Sequence, residues 1–450
     1  MRILITVHGY PPGQQGGAER RAERTARAMR ERGHEVAVLA IESDNAPHAE
    51  VRVQERIHDG VRVREVAFNG GANDDPLRYS YDHPDLGMIA SNFMDQYKPQ
   101  LMHLFSGYLW GASALDAATA HGVRTIVDLT DYWWLCHQIN LLTPLGERCD
   151  EPSAARCARC YAERQRRFRI PARLVPKATS FAWDRLQPTS SLGRLLGLPA
   201  QEARAQRLQR ALATVDRLLA PSRFLADFYG HHGIDKAKIT VARQGVELKQ
   251  CVVRKPSTTL RVGYIGQVKP HKGVDLLLDA WKLLTGPRPR KLAIYGADAG
   301  HQHYGQHLVE TLGDLPDAAW HGTFAGAEVW DVLADLDVVV IPSRWVENSP
   351  NSILEAQAVG VAVVGSNLGG IAELIEHEKN GLLFQVDDAE DLAKNLQRLL
   401  DEPELLPRLR TNPLPFRSHG AVMDDLEQIY HSTLTGASMA GRSLLQRVVR

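Results

Sequence analysis

The feature that most restricts the fold of this chain is a strand, loop and helix succession that occurs twice, once at the N-terminus and once past the middle. "RILITV" is an uninterrupted apolar run of strand length, followed by a Gly- and Pro-rich loop. Ala18 to Arg32 then carries a helical period ended by Gly33, and "EVAVLAI" is a second apolar strand. Two such strands joined by a helix predict a parallel βαβ unit. Further strand-like runs lie at Val61 to Val66, Leu101 to Phe105 and Thr125 to Leu129. "LLAPSRFLADFYGHHGIDKAKITVARQGVE" reads as the strand, helix and strand that close this half, and residues from about Ala162 to Val215 are irregular and helix-prone. After the polar stretch "LKQCVVRKPSTT" the succession restarts with "LRVGYIG", a helix over Val274 to Leu284, and "KLAIYG". Strand candidates continue at Val338 to Ile341, Val361 to Gly365 and Leu382 to Phe384.

A chain of 450 residues exceeds one ordinary core. The reading is therefore α/β with two domains, 1–248 and 249–424, and a C-terminal helix from about 425 to 450 packing back on the first. Ligands of open α/β sheets sit beyond the carboxyl ends of the strands, so a ligand crevice is expected there.

Composition narrows the class. Hydrophobic residues make up 44% of the chain, with no tract long enough to cross a bilayer, and Ile3 to Val7 is too short for the apolar core of a signal peptide. A cytoplasmic protein is expected. Lys plus Arg equals Asp plus Glu at 53 each, which argues against general nucleic-acid binding. One local excess stands out: Arg156 to Lys177, "RCARCYAERQRRFRIPARLVPK", has eight basic residues against one acidic, interleaved with Phe168, Ile170, Leu174 and Val175. Two readings stand, a solvated face beside a loop and a peripheral contact with anionic lipid headgroups at the inner membrane face.

Two loops carry the chemistry. In "WVENSPNSILEAQAVGV", Glu347 and Glu355 flank a short polar segment that runs into an apolar helix. Ser349 suits the N-cap and Pro350 the first helical position, so amides near Asn351 and Ser352 are expected to face a phosphate. In "GQVKPHKG", Gly266 to Gly273, the loop after a strand presents Lys269, His271 and Lys272, with Lys272 placed to neutralise an anion at the helix start. The loop "HGYPPGQQGGAE" also leads from strand to helix, through Gly16 and Gly17, but lacks the G-x-G-x-x-G of nicotinamide enzymes.

Four of the five cysteines, Cys136, Cys149, Cys157 and Cys160, lie close in sequence and end in C-x2-C. In a cytosolic protein this pattern points either to a structural zinc or other thiolate-bound metal, or to reduced packed thiols. Cys251, in the linker, is read as unrelated.

The E-x7-E spacing of Glu347 and Glu355, within "ENSPNSILEAQAVGVAVVGSNLGGIAELI", resembles that of retaining glycosyltransferases of family 4. The likeness extends to Gly16-Gly17-Ala18-Glu19, to "APSRFLADFY" and to "GQVKPHKG", and spans nearly the whole chain. It implies the GT-B fold, two facing Rossmann-like domains with a deep interdomain cleft, and transfer of a sugar from a nucleotide-diphosphate donor to a glycan or lipid-linked hydroxyl acceptor. It further implies that Glu355 binds the donor ribose, Glu347 the sugar hydroxyls and Lys272 the diphosphate, with Asn348, Ser349, Asn351 and Ser352 supplying donors to phosphate or sugar. Gly16 and Gly17 would let the acceptor-side domain close over the diphosphate. Two positions depart from the family pattern: Gln267 stands where Arg is usual, with Lys269 nearby, and Thr130-Asp131-Tyr132-Trp133 stands where His-Asp-Tyr-Trp is common. Asp131 is taken as an acceptor-side carboxylate, and His8, His103 and His137 are the histidines available to replace the missing one. No catalytic metal is expected, because Lys272 and the helix amides carry the leaving-group charge. The rival readings are another GT-B enzyme such as a nucleotide-sugar epimerase or hydrolase, a silent nucleotide-sugar-binding protein and, more distantly, a nicotinamide oxidoreductase.

Overall fold

The apolar runs become the strands of two separate sheets. The computed structural model describes residues 1–14, 16–43, 51–69, 74–248, 252, 254, 257–298, 300–411 and 416–436; Cys251 and the last residues of the expected C-terminal helix lie outside them. The chain divides into two compact units, one comprising Met1–Pro221, Leu225–Ala242 and the residues from Met423, the other Ser222–Phe224 and Arg243–Val422.

The first unit holds β1 (Arg2–Val7), β2 (Glu35–Ser43), β3 (Arg52–His58), β4 (Val61–Phe68), β5 (Leu101–Phe105), β6 (Arg124–Asp128), β7 (Arg217–Ala220) and β8 (Ile239–Val241). Their order is β3-β4-β2-β1-β5-β6-β7-β8, and every neighbouring pair is parallel except β3 with β4. Ile3, Leu4, Ile5 and Val7 of β1 have no exposed surface, as expected of a central parallel strand covered on both faces. The helix Gly17–Glu31 packs with Ala22, Thr25, Ala26, Ala28 and Met29 buried, a mostly small-residue face that lets it lie close to the sheet. Strand β3 was invisible to apolar-run reading because "RVQERIH" is almost wholly solvent-exposed and gains its conformation from pairing with β4.

Between β6 and β7 the helix-prone segment holds four helices, Arg166–Leu174, Pro176–Asp184, Ser191–Leu195 and Leu198–Thr214, and a fifth, Ala154–Ala162, precedes them. They share a small apolar cluster of their own, Ala158, Ala162, Trp183 and Leu198, with Phe168 and Leu186 packed against it. The helix His419–Thr435 buries Met423, Leu426, Ile429 and Tyr430. Its Tyr430 hydroxyl lies 2.7 Å from His103 Nδ1, and Glu427 Oε1 lies 2.8 Å from His34 Nε2.

The second unit holds β9 (Leu260–Ile265), β10 (Arg290–Tyr295), β11 (Ala318–Gly322), β12 (Val338–Ile341), β13 (Ala362–Ser366) and β14 (Gly381–Phe384), all parallel in the order β11-β10-β9-β12-β13-β14. Side chains alternate between its faces. Val338 and Val340 enter one apolar cluster while Val339 and Ile341 enter the other, so the run "VVVI" is buried on both sides. The strand order reverses between β9 and β12, and the loops leaving those two strands are neighbours at the carboxyl edge.

Candidate functional site

That reversal brings "GQVKPHKG" and "WVENSPNS" together. Lys272, at the end of the short turn Pro270–Lys272, donates from Nζ to Glu347 Oε1 at 2.5 Å, although 75 residues separate them. Ser343 Oγ donates to the same oxygen at 2.9 Å, and the Lys272 ammonium sits 4.8 Å from the centre of the Trp345 ring. Both ion-pair side chains are mostly buried, at 21% and 12% exposure, so the pair is less screened than a surface one.

Arg344 staples the two loops. Its amide donates to the His271 carbonyl at 2.9 Å, Nη1 to the Pro270 carbonyl at 3.1 Å and to Asp275 Oδ1 at 2.6 Å, and Nε to Asp387 Oδ1 at 2.5 Å. Tyr304 adds a hydroxyl donor to Asp275 Oδ1 at 2.7 Å. Burial works to raise the pKa of Asp275, but the hydrogen bonds and charge of Arg344 leave it lowered, and Arg344 is raised in turn. Sequence reading passed over Arg344, Ser343 and Asp275, since nothing local marks an arginine as a brace between distant loops.

Gly273 makes the approach possible. Its φ is +73°, and a Cβ there would collide with the Pro342 carbonyl oxygen, so only glycine lets the β9 loop lie against the β12 loop. Gly370 plays the same part below the Glu347–Asn348 segment: its amide donates to the Glu347 carbonyl at 2.7 Å, and a Cβ would strike the Asn348 carbonyl.

One local expectation is corrected. The helix runs Asn351–Ala358 with Pro350, not Ser349, as the N-cap, and no side chain caps it. Pro350 has φ −64° and ψ 120°, an extended conformation outside the helix, and Ser349 is left one residue too early to reach the first-turn amides. The Ser349 hydroxyl is buried with no hydrogen-bond partner among the described residues. The amides of Asn351 and Ser352 open the helix and have no intrahelical acceptor. Glu355 is half-buried one turn further on, on the face of Asn351. Asn348 is buried, and Gln267 is exposed, its carbonyl accepting from the Tyr264 hydroxyl at 2.7 Å. Lys269 has a lowered pKa through burial and the charge of Lys272, and His271 is pushed down to about 4 by burial first and Lys272 second.

Gly16, Gly17, Asp131 and the cysteines belong to the first unit. Gly16 caps the helix Gly17–Glu31 in extended backbone. Asp131 follows β6 and is held by its own loop and the one after β5: Oδ2 accepts from Ser106 Oγ at 2.7 Å and from Thr130 Oγ1 at 3.2 Å, and Oδ1 from the Trp133 amide at 2.8 Å. Arg204, buried, donates to the Trp133 carbonyl at 2.5 Å and anchors this loop to the helix Leu198–Thr214.

The three substitute histidines differ sharply. His103 is wholly buried in β5, with its pKa lowered well below the usual value by burial and by Arg21, so it is a core residue. His137 is pushed down to about 3 by burial, then Arg204 and Arg164. His8 follows β1 with Nε2 3.2 Å from Glu19 Oε1; burial works to raise Glu19, yet the hydrogen bond and charge of His8 leave its pKa lowered.

Cys136, Cys149, Cys157 and Cys160 line one cavity of about 270 Å³ together with His137 and Glu163. Burial raises all four thiols, Cys157 and Cys160 to about 12. Among the described residues, no three of their sulfurs lie within 4.8 Å of one another. The group of three ligand-type residues found within 4.8 Å of one another among the described residues is Glu23, His58 and Asp59, which includes no cysteine. No described helix is long and apolar enough to cross a membrane.

Comparison with known proteins matches this architecture. An Anabaena HepE structure with UDP-glucose superposes with a TM-score of 0.62 over 96% of this chain and 100% of that one; at 16% identity it shows the GT-B fold alone. A GDP-mannose-dependent alpha-mannosyltransferase of Corynebacterium glutamicum is 33% identical over 198 residues, 41% of this chain and 45% of that protein. A D-inositol 3-phosphate glycosyltransferase of Rhodococcus opacus is 30% identical over 47% of this chain and 51% of its own length, so the chain spans about half the length of these curated relatives. A GDP-mannose-dependent alpha-mannosyltransferase of Mycobacterium tuberculosis is 25% identical over 95% of both chains. The family model for glycosyl transferases group 1 matches residues 247–413, and that for the glycosyl transferase 4-like domain matches residues 16–245. With more than half its length covered by the latter, this chain belongs to the glycosyl transferase 4-like family.

Proposed function

We propose that this chain is a retaining glycosyltransferase that moves a sugar from a nucleotide-diphosphate donor to a hydroxyl of a glycan or lipid-linked acceptor. The carrying observation is the Lys272–Glu347 contact at the strand-order reversal, in the loop that leads to the first-turn amides of Asn351 and Ser352. In this reading the second unit takes the donor and the first the acceptor.

The chemistry follows from charge. The bond between the sugar C1 and the diphosphate oxygen breaks while C1 bonds to the acceptor oxygen, and negative charge grows on the departing diphosphate. Lys272 and the helix amides stabilise that charge in place, without reorganisation during the step. The acceptor proton passes to the departing phosphate oxygen, on the same face of the sugar, so the anomeric configuration is kept and no strong protein base is needed. That removes the demand for a histidine at Thr130. Glu347, aligned by Lys272 and Ser343, is assigned to the donor sugar hydroxyls, and Glu355 to the ribose. The buried Ser349 hydroxyl, without a hydrogen-bond partner among the described residues, supports a ligand at this loop. Gly16, Gly17 and Gln267 are assigned to donor contacts and Asp131 to the acceptor.

GDP-mannose and UDP-glucose are the donors to test first, alone and with lipid-linked or oligosaccharide acceptors. Acceptor-dependent release of nucleoside diphosphate, with product of the donor's anomeric configuration by NMR, supports the reading. Release without acceptor would identify a hydrolase, and inversion of configuration would refute the mechanism.

A further inference from the structure

The helical insertion between β6 and β7 has a surface that the sugar-transfer chemistry does not use. Thirteen large apolar side chains are exposed among the described residues, and six fall within residues 170–195: Ile170, Leu174, Val175, Phe181, Leu192 and Leu195. Leu174 is 75% and Leu195 82% exposed. Isolated exposed apolar residues are ordinary, but concentration in one short segment marks an interaction surface. Ile170 and Leu174 are one turn apart on the helix Arg166–Leu174, and Val175 continues the patch into Pro176–Asp184, which carries Phe181.

The charge around this patch is one-sided. From Arg164 to Arg194 the segment has eight basic residues, all exposed, against Asp184 alone. None of the eight forms an ion pair among the described residues. Structural arginines elsewhere in the chain, such as Arg344 and Arg261, are paired with carboxylates. Burial of Trp183, Ala172 and the partly buried Phe168 holds the helices, so the outward Leu, Ile, Val and Phe side chains are not needed for the insertion's own core.

We infer that the outer face of this insertion, built on Ile170, Leu174, Val175 and Phe181 with their flanking arginines and Lys177, docks the protein on an anionic lipid bilayer. Apolar side chains that enter the headgroup boundary while guanidinium and ammonium groups meet lipid phosphates match such an interface on both counts. A protein partner would need a large complementary acidic surface, whereas the bilayer supplies negative charge and an apolar layer together. The inference is independent of the donor, the acceptor and the stereochemistry assigned above.

The test is co-sedimentation of the full chain with vesicles of phosphatidylcholine alone and of equimolar phosphatidylcholine and phosphatidylglycerol. The expected result is binding to the anionic vesicles only, weakening as salt is raised. Each cation near the surface strengthens binding about five-fold, so replacing Arg167, Arg169, Arg173 and Lys177 by Gln together should weaken it by roughly 600-fold. The pair Leu174→Ser and Phe181→Ser should abolish binding while leaving the thermal unfolding midpoint unchanged, since both side chains are exposed. If the serine pair fails to fold, the glutamine variant decides. No binding to either vesicle, or equal binding by wild type and variants, overturns the inference. So would a dimer in solution that the Leu174→Ser, Phe181→Ser pair dissociates without any vesicle binding by the wild type.

Discussion

Replacing Lys272 with alanine separates a residue that holds a loop from one that stabilises a leaving group. The Lys272 ammonium is 2.5 Å from Glu347 Oε1, and both side chains are more than three-quarters buried. A charge-assisted hydrogen bond of this kind contributes about 1.5–3 kcal/mol, and removing one partner strands the other carboxylate. Stability should therefore fall by about 1–3 kcal/mol, read as a lower urea midpoint. Glu347→Gln should cost less, about 1 kcal/mol, because a neutral amide can still accept from Lys272 and Ser343. If Lys272 also meets the departing diphosphate, its removal subtracts a transition-state interaction of about 3–4 kcal/mol, or 10²–10³ in kcat/KM. The assay is steady-state release of nucleoside diphosphate at a temperature where both variants are folded, with Lys272→Arg as the control that keeps charge and changes its shape. The reasoning is refuted if Lys272→Ala, shown to be folded, keeps kcat/KM within about three-fold of wild type, far short of that loss.

Other outcomes follow from the same geometry. Glu355→Ala should reduce the thermal shift produced by a bound nucleotide sugar while leaving the free protein's midpoint within a degree or two; an undiminished shift counts against a ribose contact. Gly273→Ala should destabilise by more than about 1–3 kcal/mol, because φ is +73° and the new Cβ meets the Pro342 carbonyl, and a urea titration reads this directly. The pH dependence has a defined sign. His271 and His137 titrate near 4 and 3 when folded but near 6.5 when unfolded, so between these values the unfolded chain holds the extra protons. Stability should then rise with pH from about 3 to 6.5, each histidine adding up to about 1.4 kcal/mol per pH unit to the slope within its window. His271→Asn should flatten the curve between about 4 and 6.5; an unaltered curve would mean the imidazole is not held neutral.

How much could be read from the chain depended on how local each signal was. β5 at Leu101–Phe105 and β12 at Val338–Ile341 match their strand-like runs residue for residue, because a strand buried on both faces is built almost wholly of apolar residues; the exception in β5, His103, is buried against the Tyr430 hydroxyl. β3 escaped notice because its side chains face water. The helix that carries Glu355 is legible in the sequence but its cap is not: Ser349 and Pro350 both fit a helix start, and backbone conformation makes Pro350 the cap. Clustering of the cysteines in sequence did translate into a shared cavity, while their spacing across it is a tertiary matter. Among the histidines, sequence could not tell His103 from His8. Burial within β5 against Tyr430, from the other end of the chain, makes one a core residue, and pairing with Glu19 makes the other a loop residue.

Sequence by itself determined that this protein is built of two parallel α/β units, and that Lys272 and Glu347 follow strands, because apolar period and turn residues act over a few positions and need no partner. Only the tertiary structure decided that β9 and β12 lie side by side, that Gly273 yields to the Pro342 carbonyl, and that Arg344 ties the two loops so that the lysine meets the glutamate. Strand order and long-range contacts arise from which buried surfaces pair. That choice is made among all the elements at once, and no short stretch of residues encodes it.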